Sequence, residues 1–230
     1  ETNTKKLLQY DQLDVLQDDS WNLKILLSAI SEKRDSLFSD SAKNSLIESI
    51  FWCQKTKDAI QTNDVFAACW QKCASYYLAD SLSSFNQSPS SPSHTLNSLR
   101  NFKKSPINNH ISGILETIGI ERATPTLLER MLKSTIGFSD LVEKNNHSQL
   151  IKQKYDYFLK NSMLSDCYFY LVYLNKEIFI KIKDNLNKEQ DLIHILKIAF
   201  DIESDSNLLQ QHVETIQTSC NDILEIVSKT

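Results

Sequence analysis

The amino-acid sequence predicts an all-α fold, a multi-helix bundle of about eight helices with an up-and-down core and short polar connections. The first observation is the scarcity of turn-forming residues, since the 230 residues include only three glycines and four prolines. A β-rich or doubly wound fold would need more of both for its hairpins and tight loops. The second observation is that apolar residues recur every three to four positions over most of the chain, which is the period of an amphipathic helix.

The composition is that of an ordinary folded protein. Hydrophobic residues make up 41% and charged residues 23% of the 230 residues, enough for one large domain or two small ones with a buried core. The net charge of −4 provides no overall attraction to nucleic acid or to anionic lipid, so neither is an expected partner. No apolar run approaches about 18 residues, which excludes a membrane-spanning helix.

The five cysteines form neither a disulfide pattern nor a metal-binding pattern. Their number is odd, their spacings are irregular, and each falls within an apolar stretch that predicts a helix. Cys69 and Cys73 are one helical turn apart and could share a metal, but no second pair accompanies them, so core packing is favoured. We therefore expect buried free thiols in a reducing compartment, the cytoplasm, and neither a metal nor a cofactor.

Residues 1–19 are predicted to form an extended or short helical lead-in. Asp19 or Ser20 is a candidate N-cap for the first long helix. The apolar positions of that helix follow at helical spacing and are expected to face the core: Trp21, Ile25, Leu26, Ala29 and Ile30. A second helix is predicted to begin near Asp40 or Ser41 and to turn a further group toward the core: Ile47, Ile50, Phe51 and Ala59.

A third helix is predicted after Asn63, a candidate N-cap. Its expected inward face is rich in aromatic residues: Phe66, Cys69, Trp70, Cys73, Tyr77 and Leu78. It ends in a loop dominated by serine and proline, after which a shorter helix runs from Ser93 toward a break at Pro106. Another short helix is predicted over residues 107–119, with Gly119 as its C-cap.

The second half of the chain also reads as helical. Thr124 and Pro125 mark a strong helix start, and Gly137 is expected to interrupt the helix that follows. Buried stripes then predict helices after residue 150, the longest of them from Leu164 to Ile182. We expect residues 20–120 to form an N-terminal bundle and residues 121–230 a C-terminal helical part that packs with it as one domain.

The last helix has the most regular pattern in the chain. Its apolar residues are spaced alternately by four and three positions: Leu209, Val213, Ile216, Cys220, Ile223 and Val227. This is the a/d seam of a heptad repeat, although two and a half heptads are few for a coiled coil. A bundle helix packed on its neighbours is the favoured interpretation, and the seam of a homodimer is the alternative.

No catalytic residue can be assigned from sequence patterns. The chain has no glycine-rich phosphate loop, no nucleophile elbow and no H-E-x-x-H sequence, and it lacks the Gly-Ser turn that precedes the paired aspartates of nucleotidyl transfer. A basic cluster does follow the serine- and proline-rich loop and includes His94, Arg100, Lys103 and Lys104. Such a cluster could bind an anion, although a solvated helix face is the simpler interpretation.

Residues 63–100 carry a family resemblance. A helix rich in alanine, cysteine and tyrosine is followed by a polar loop and then by a short helix with His94 and Arg100. This arrangement resembles the helical domain that follows or pairs with small nucleotidyltransferases, in the HEPN-type and substrate-binding bundles. Ribonuclease-active members carry an Arg-x(4–6)-His motif, and no arginine of this chain is followed by a histidine at that spacing. The resemblance therefore implies a binding or regulatory domain rather than an enzyme.

Two functional hypotheses follow. The first is a helical accessory domain of a nucleotidyltransferase-like protein, without its own catalytic motif, whose partner is an upstream or separate nucleotidyltransferase domain. Its substrate- or anion-binding side would comprise His94, Arg100, Lys103 and Lys104, with Tyr76 and Tyr77 available for stacking. The second is a helical protein–protein interaction or self-association module with no small-molecule site. Its suggested contacts are the a/d seam and a set of tyrosines: Tyr155, Tyr157, Tyr168, Tyr170 and Tyr173.

Overall fold

A computed structural model describes residues 4–11, 13–143, 147–188 and 190–229. These residues form eleven α-helices and no β-strand, so the predicted all-α bundle is confirmed and the predicted count of about eight helices is wrong. The shortest of them, the five-residue helix in the lead-in, is too short for an apolar repeat to be recognised in the sequence. The helices are α1 (Thr4–Leu8), α2 (Asn22–Glu32), α3 (Arg34–Gln61), α4 (Ala67–Phe85), α5 (Thr95–Asn101), α6 (Ile111–Ile118), α7 (Pro125–Glu143), α8 (Ser148–Lys160), α9 (Leu164–Ile182), α10 (Ile193–Ala199) and α11 (Ser206–Ser228).

The centre of the bundle is α4, which is buried along nearly its whole length. It packs against α3, and small residues let the two backbones approach closely. The Ser49 hydroxyl of α3 donates to the Ala74 carbonyl at 2.9 Å, and the Ser81 hydroxyl of α4 donates to the Ala42 carbonyl at 2.9 Å. The aromatic residues of the pair also meet, since the Trp52 and Trp70 rings stack with 5.1 Å between their centroids.

The start of α4 differs from the prediction. Asn63 has a left-handed backbone, with φ of 53°, and does not cap the helix. Asp64 supplies the polar contacts instead, because its carboxylate accepts from the Phe66 N–H at 2.9 Å and from the Trp70 indole at 3.2 Å. α3 likewise begins at Arg34 rather than near Asp40, which leaves only Lys33 between α2 and α3.

The helix boundaries at the middle of the chain were predicted well, with one exception. Gly119 ends α6 with φ of +80°, a conformation that glycine adopts without strain. α7 begins at Pro125, and the Thr124 hydroxyl accepts from the Leu127 N–H at 3.3 Å. Gly137 does not interrupt α7: it lies on an exposed helix face, where a side chain would meet no other atom within 4 Å.

A single buried core joins the two halves of the chain. Asn175 of α9 donates to the Thr135 hydroxyl of α7 at 2.9 Å and to the Ala199 carbonyl of α10 at 2.8 Å. Phe179, also of α9, contacts the Trp70 ring at 4.6 Å between centroids. The core is continuous from α3 to α11, while the boundary placed between residues 120 and 121 stays a prediction.

The last helix packs on α3, α4 and α6. Asp205 caps it by accepting from the Asn207 N–H at 2.8 Å. The first five residues of the predicted seam are buried inside the chain: Leu209, Val213, Ile216, Cys220 and Ile223. The interpretation as a bundle helix is therefore confirmed, and this seam is not available to a second copy of the chain.

Two further predictions concern the chain as a whole. The lead-in contains the short helix α1, and its first three residues lie outside the described part. All five cysteines are free and buried, as expected. Among the residues that the structure describes, no helix combines the length and the apolarity needed to cross a membrane.

Candidate functional site

The predicted anion-binding residues lie around α5 and the segment that follows it. His94 directly precedes α5, Arg100 is in its last turn, and Lys103 and Lys104 follow, all four on the surface. One nitrogen of the Arg100 guanidinium donates to the Asp166 carboxylate of α9 at 2.8 Å, so part of this cation is already paired within the chain. This ion pair ties α5 to the bundle.

The two tyrosines of the predicted site lie in α4. Tyr76 is fully buried, its hydroxyl donates to the Phe169 carbonyl at 3.1 Å, and burial raises its pKa well above the ordinary value. No face of its ring is open to a ligand, so the structure removes Tyr76 from the predicted site. Tyr77 is half-buried, with the Lys176 ammonium 4.4 Å from its ring centroid. The structure therefore does not bring the six predicted residues together as one surface.

A first buried ionic cluster surrounds Asp80 of α4. Its carboxylate accepts from the Tyr173 hydroxyl at 3.0 Å and from the Lys5 ammonium at 3.1 Å, and the Lys176 ammonium lies 3.5 Å away. Lys176 also pairs with Glu177 at 2.8 Å. Burial alone would raise the pKa of Asp80, but the adjacent Lys5 and Lys176 charges lower it overall, so Asp80 stays ionised. This cluster joins α1, α4 and α9.

A second buried cluster surrounds Lys72, one turn from the start of α4. Its ammonium donates to the Ile118 carbonyl at 2.6 Å and lies 3.4 Å from the Tyr168 hydroxyl. Tyr168 donates to Asp201 at 3.0 Å, and Arg122 donates to the other carboxylate oxygen of Asp201 at 2.9 Å. The chain of contacts joins α4, the end of α6, α9 and the segment after α10.

Lys72 has the lowered pKa that is typical of a catalytic lysine, but a substrate could not reach its ammonium. Burial lowers the pKa of Lys72 to about 8, although the Asp201 carboxylate acts in the opposite direction. A lysine with such a pKa can act as a base or a nucleophile. Lys72 is buried, however, and its ammonium is directed at a helix-terminal carbonyl. We therefore interpret both clusters as polar contacts that hold the helices in register.

The cysteine pair in α4 also belongs to the core. Burial raises the pKa of both Cys69 and Cys73, so the thiolate form that binds metal is disfavoured. No group of three or more potential metal ligands lies together within the described ranges.

The feature that distinguishes this chain from a plain bundle is an exposed apolar surface on α2. Leu23, Leu27 and Ile30 turn toward the body of the protein, and Ile30 is buried. The opposite side carries Trp21 and Ile25, which are 62% and 65% exposed although both were predicted to face the core. The side of a helix that faces away from a protein core is normally polar. The residues that the structure describes leave Trp21 and Ile25 of this side exposed.

The segment before α2 extends this surface. Leu13 is exposed, and Leu16 is 98% exposed, an extreme value for a large apolar side chain. Asp18, rather than the predicted Asp19 or Ser20, contacts the start of the helix, because its carboxylate accepts from the Lys24 N–H at 2.8 Å. We call this group the α2 surface: Leu13, Leu16, Trp21, Ile25 and Leu26.

The backbone at Trp21 is unusual. Its φ of 61° lies in the left-handed region, which bulky residues rarely adopt. The Lys24 ammonium lies over the indole, 4.2 Å from the ring centroid. This backbone conformation directs the Trp21 side chain away from the core. Trp21 is not part of the buried apolar cluster.

A second exposed apolar group lies on α3 and α11. Ile47 and Phe51 are 62% and 55% exposed, and Ile50 is partly exposed, although all three were predicted to face the core. The two helices run antiparallel, since Ser49 contacts Cys220 and Lys57 contacts Gln217. This register places the exposed Leu224 beside Ile47. We call this group the α3 surface: Ile47, Ile50, Phe51 and Leu224.

The tyrosines suggested as interaction residues are mostly core residues. Tyr157 is exposed, whereas the other four are buried: Tyr155, Tyr168, Tyr170 and Tyr173. Burial raises the pKa of each of these four. Of the five suggested tyrosines, Tyr157 is therefore the one that a partner can contact.

Comparison of the chain with protein-family models, with curated proteins and with solved structures gives no match. The resemblance of residues 63–100 to nucleotidyltransferase-associated helical domains accordingly stays a prediction. The function must therefore be inferred from the exposed surfaces and the buried clusters of the chain itself.

Proposed function

We propose that this chain is a helical protein–protein interaction module that binds its partner through the α2 surface. The observation that carries the proposal is α2 itself, an eleven-residue helix with apolar residues on two opposite sides, of which the described part of the chain covers one. Large apolar groups left in water cost free energy in proportion to their area, about 25 cal/mol per Å². A partner that covers Trp21 and Ile25 would recover that free energy.

The composition of the surface supports protein binding in particular. Tryptophan is among the residues that most often dominate binding energy at protein interfaces, where it fills a pocket of the partner. Trp21 is exposed and immediately precedes a helix that the fold anchors through Ile30. The α3 surface offers a second group of apolar side chains that could extend the contact area.

A site-specific photo-crosslinker tests the proposal in the cells that make the protein. A benzophenone side chain in place of Ile25 is expected to give a discrete adduct with another protein. The same side chain in place of Leu150, which is similarly exposed on α8, is the matched control and should give none. Identical adduct patterns at the two positions, or none at position 25, would contradict the proposal. A third position, Phe51, reports whether the α3 surface belongs to the same interface.

The accessory-domain hypothesis remains a second candidate. It is favoured by the exposed side chains of His94, Lys103 and Lys104, which follow one another around α5. In this proposal the partner is a nucleotidyltransferase domain, upstream or separate, and the chain itself supplies no catalytic residue. A thermal-shift screen against nucleotides with and without Mg²⁺ tests it, since a ligand that binds the folded state raises Tm. A rise that disappears in the Lys103→Gln, Lys104→Gln variant supports it, and no rise rejects it.

We further propose a reducing, cytoplasmic location. The support is the state of the five cysteines, which are all free and buried. Burial raises the pKa of the Cys167 and Cys220 thiols to about 12, so they resist oxidation while the chain is folded. Alkylation of the protein in intact cells under denaturing quench should find all five thiols reduced.

A further inference from the structure

The α2 surface combines apolar side chains with unneutralised acid groups. Residues 7–23 include four aspartates and neither lysine nor arginine. Asp11 is engaged by the Arg34 guanidinium at 3.0 Å. Asp14, Asp18 and Asp19 take part in no ion pair within the described ranges, and they alternate with Leu13, Leu16 and Trp21 along the chain. The surface is therefore an apolar patch with an acidic rim.

The nearest basic residue in the sequence does not neutralise this rim. Lys24 places its ammonium over the Trp21 ring, 4.2 Å from the centroid. The carboxylate of Asp18 accepts from a backbone N–H, and that of Asp19 accepts from the Gln17 side chain at 3.1 Å. Their negative charges thus remain available to a partner.

We infer that the α2 surface binds a basic amphipathic helix of a partner protein. The inference rests on the proposed function and names the chemistry of the partner. Lysine or arginine side chains at the edges of such a helix would pair with the aspartate rim, while its apolar face covers Trp21 and Ile25. Trp21 and Ile25 are one helical turn apart, the spacing at which two packed helices interdigitate their side chains.

The charge of the rim argues against other occupants. An anionic membrane or a nucleic acid would be repelled by the aspartates. A second copy of the chain, paired through the same surface by a two-fold axis, would set one acidic rim against the other. A basic partner is the occupant whose charge complements the surface.

Synthetic peptides test this inference on the full chain. Three peptides of about 18 residues serve as probes: an amphipathic helix of leucine and lysine, the same pattern with glutamate, and a scrambled leucine–lysine sequence. Binding is measured by calorimetry and by the emission of Trp21, which is exposed while Trp52 and Trp70 are buried. We expect the patterned lysine peptide to bind with a blue shift, and the other two to bind about tenfold more weakly or not at all.

Variants of the chain locate the binding. Ile25→Ala and the double variant Asp14→Asn, Asp19→Asn are each expected to weaken the lysine peptide by about tenfold. Leu150→Ala and Asp156→Asn are the controls, because both residues are exposed on α8 and should leave the affinity unchanged. Equal effects in the α2 and α8 variants would mean nonspecific attraction and would overturn the inference.

Other outcomes identify another occupant. Tighter binding of the glutamate peptide, a Trp21 blue shift with phosphatidylserine vesicles, or a dimer that Ile25→Ala dissociates would each overturn the inference. A protein adduct at position 25 without binding of the lysine peptide would reject the basic helix and leave the proposed function standing. Binding of the lysine peptide at α2 without any adduct in cells would contradict the proposed function. The preference of the α2 surface for a basic helix would then remain as a property of the purified chain.

Discussion

Lys176 and Asp80 form an ion pair in the centre of the bundle, with 3.5 Å between the lysine Nζ and a carboxylate oxygen. Both side chains are buried, at 0% and 1% exposure. The pair is stabilised by its surroundings, since the Tyr173 hydroxyl donates to Asp80 and the Tyr173 ring lies 4.2 Å from the Lys176 ammonium. The neighbouring charges raise the pKa of Lys176 although burial alone would lower it. Both residues are therefore charged in the folded chain.

Replacing one partner of this pair should destabilise the chain strongly. Asp80→Asn keeps the shape but leaves the buried Lys176 ammonium with the partly exposed Glu177, at 2.8 Å, as its carboxylate partner. The loss of the buried carboxylate is expected to cost about 3 kcal/mol, the lower end of the range for breaking a buried ion pair. Urea denaturation measures the change in the free energy of unfolding. The double variant with Lys176→Met is the control and should recover part of the loss, because it removes the buried ammonium that paired with Asp80. A loss in Asp80→Asn below about 1 kcal/mol would contradict this description.

The same carboxylate should contribute to acid unfolding. The pKa of Asp80 is lowered from its ordinary value of 3.8. A carboxyl group whose pKa is lowered by folding stabilises the protein above its unfolded pKa, and that contribution is lost as the pH falls through the folded pKa. The free energy of unfolding of wild type should therefore decline more steeply below pH 4 than that of Asp80→Asn.

Lys72 should produce a pH dependence of the same sign at alkaline pH. Its pKa is lowered by folding from 10.5 to about 8, so between these values the unfolded chain binds more protons and stability rises with pH. The buried thiols and tyrosines, whose pKa values are raised, act in the other direction at alkaline pH. The informative quantity is thus the difference in unfolding free energy between wild type and Lys72→Met. It should shift in favour of wild type by roughly 3 kcal/mol from pH 7 to pH 11, and a flat difference would contradict the lowered pKa.

Two glycines offer a matched test of the helix boundaries. Gly119 has φ of +80°, and a Cβ there would also lie 3.3 Å from the Tyr168 hydroxyl, so Gly119→Ala should destabilise by about 1 kcal/mol or more. Gly137 is inside α7 on an exposed face, and Gly137→Ala should stabilise by about 0.5–1 kcal/mol. Thermal denaturation of both variants checks the signs. The same sign at both positions would contradict the left-handed backbone at Gly119 or the helical backbone at Gly137.

The two sides of α2 should respond differently to truncation. Ile30 is buried, and Ile30→Ala should cost about 2–4 kcal/mol of stability. Ile25 is exposed, and Ile25→Ala should change stability by less than about 0.5 kcal/mol while it removes partner binding. Denaturation curves of the two variants separate the anchoring side from the binding side. A large loss of stability in Ile25→Ala would mean that its side chain belongs to the core.

The fold class could be predicted from sequence because its signals are local. The scarcity of glycine, the Thr124–Pro125 start of α7 and the C-cap at Gly119 each depend on a few neighbouring residues. The heptad spacing in α11 likewise reflects a single buried side. Signals of this kind need no knowledge of what the helix packs against.

The orientation of α3 could not be predicted in this way. Its buried side includes Ser49 and Thr56, and its exposed side includes Ile47 and Phe51. The close approach to α4 at Ser49 explains this part of the choice, because a small residue fits there and its hydroxyl satisfies the Ala74 carbonyl, while Trp52 packs on Trp70 further along the helix. An interpretation based on hydrophobicity alone selects the larger apolar residues as the inward face, and here that choice is wrong.

The buried ionic clusters were also missed, although the sequence holds a signal for them. Lys72 and Asp80 are the two charged residues of α4, and both lie in a helix that is otherwise small, apolar or aromatic. A charge within such a helix indicates a buried partner, but the partners Lys5, Tyr168 and Tyr173 come from distant parts of the chain. Only the tertiary structure brings them together.

Cysteine footprinting at position 25 shows directly whether a partner covers the α2 surface in cells. The five native thiols are buried, so a cysteine introduced in place of Ile25 can be modified selectively, and one in place of Leu150 is its control. In the purified chain both should react rapidly with a maleimide. In cells that express the protein at its natural level, binding through the α2 surface predicts that position 25 is protected while position 150 still reacts. Equal modification of the two positions in those cells would contradict the proposed interface.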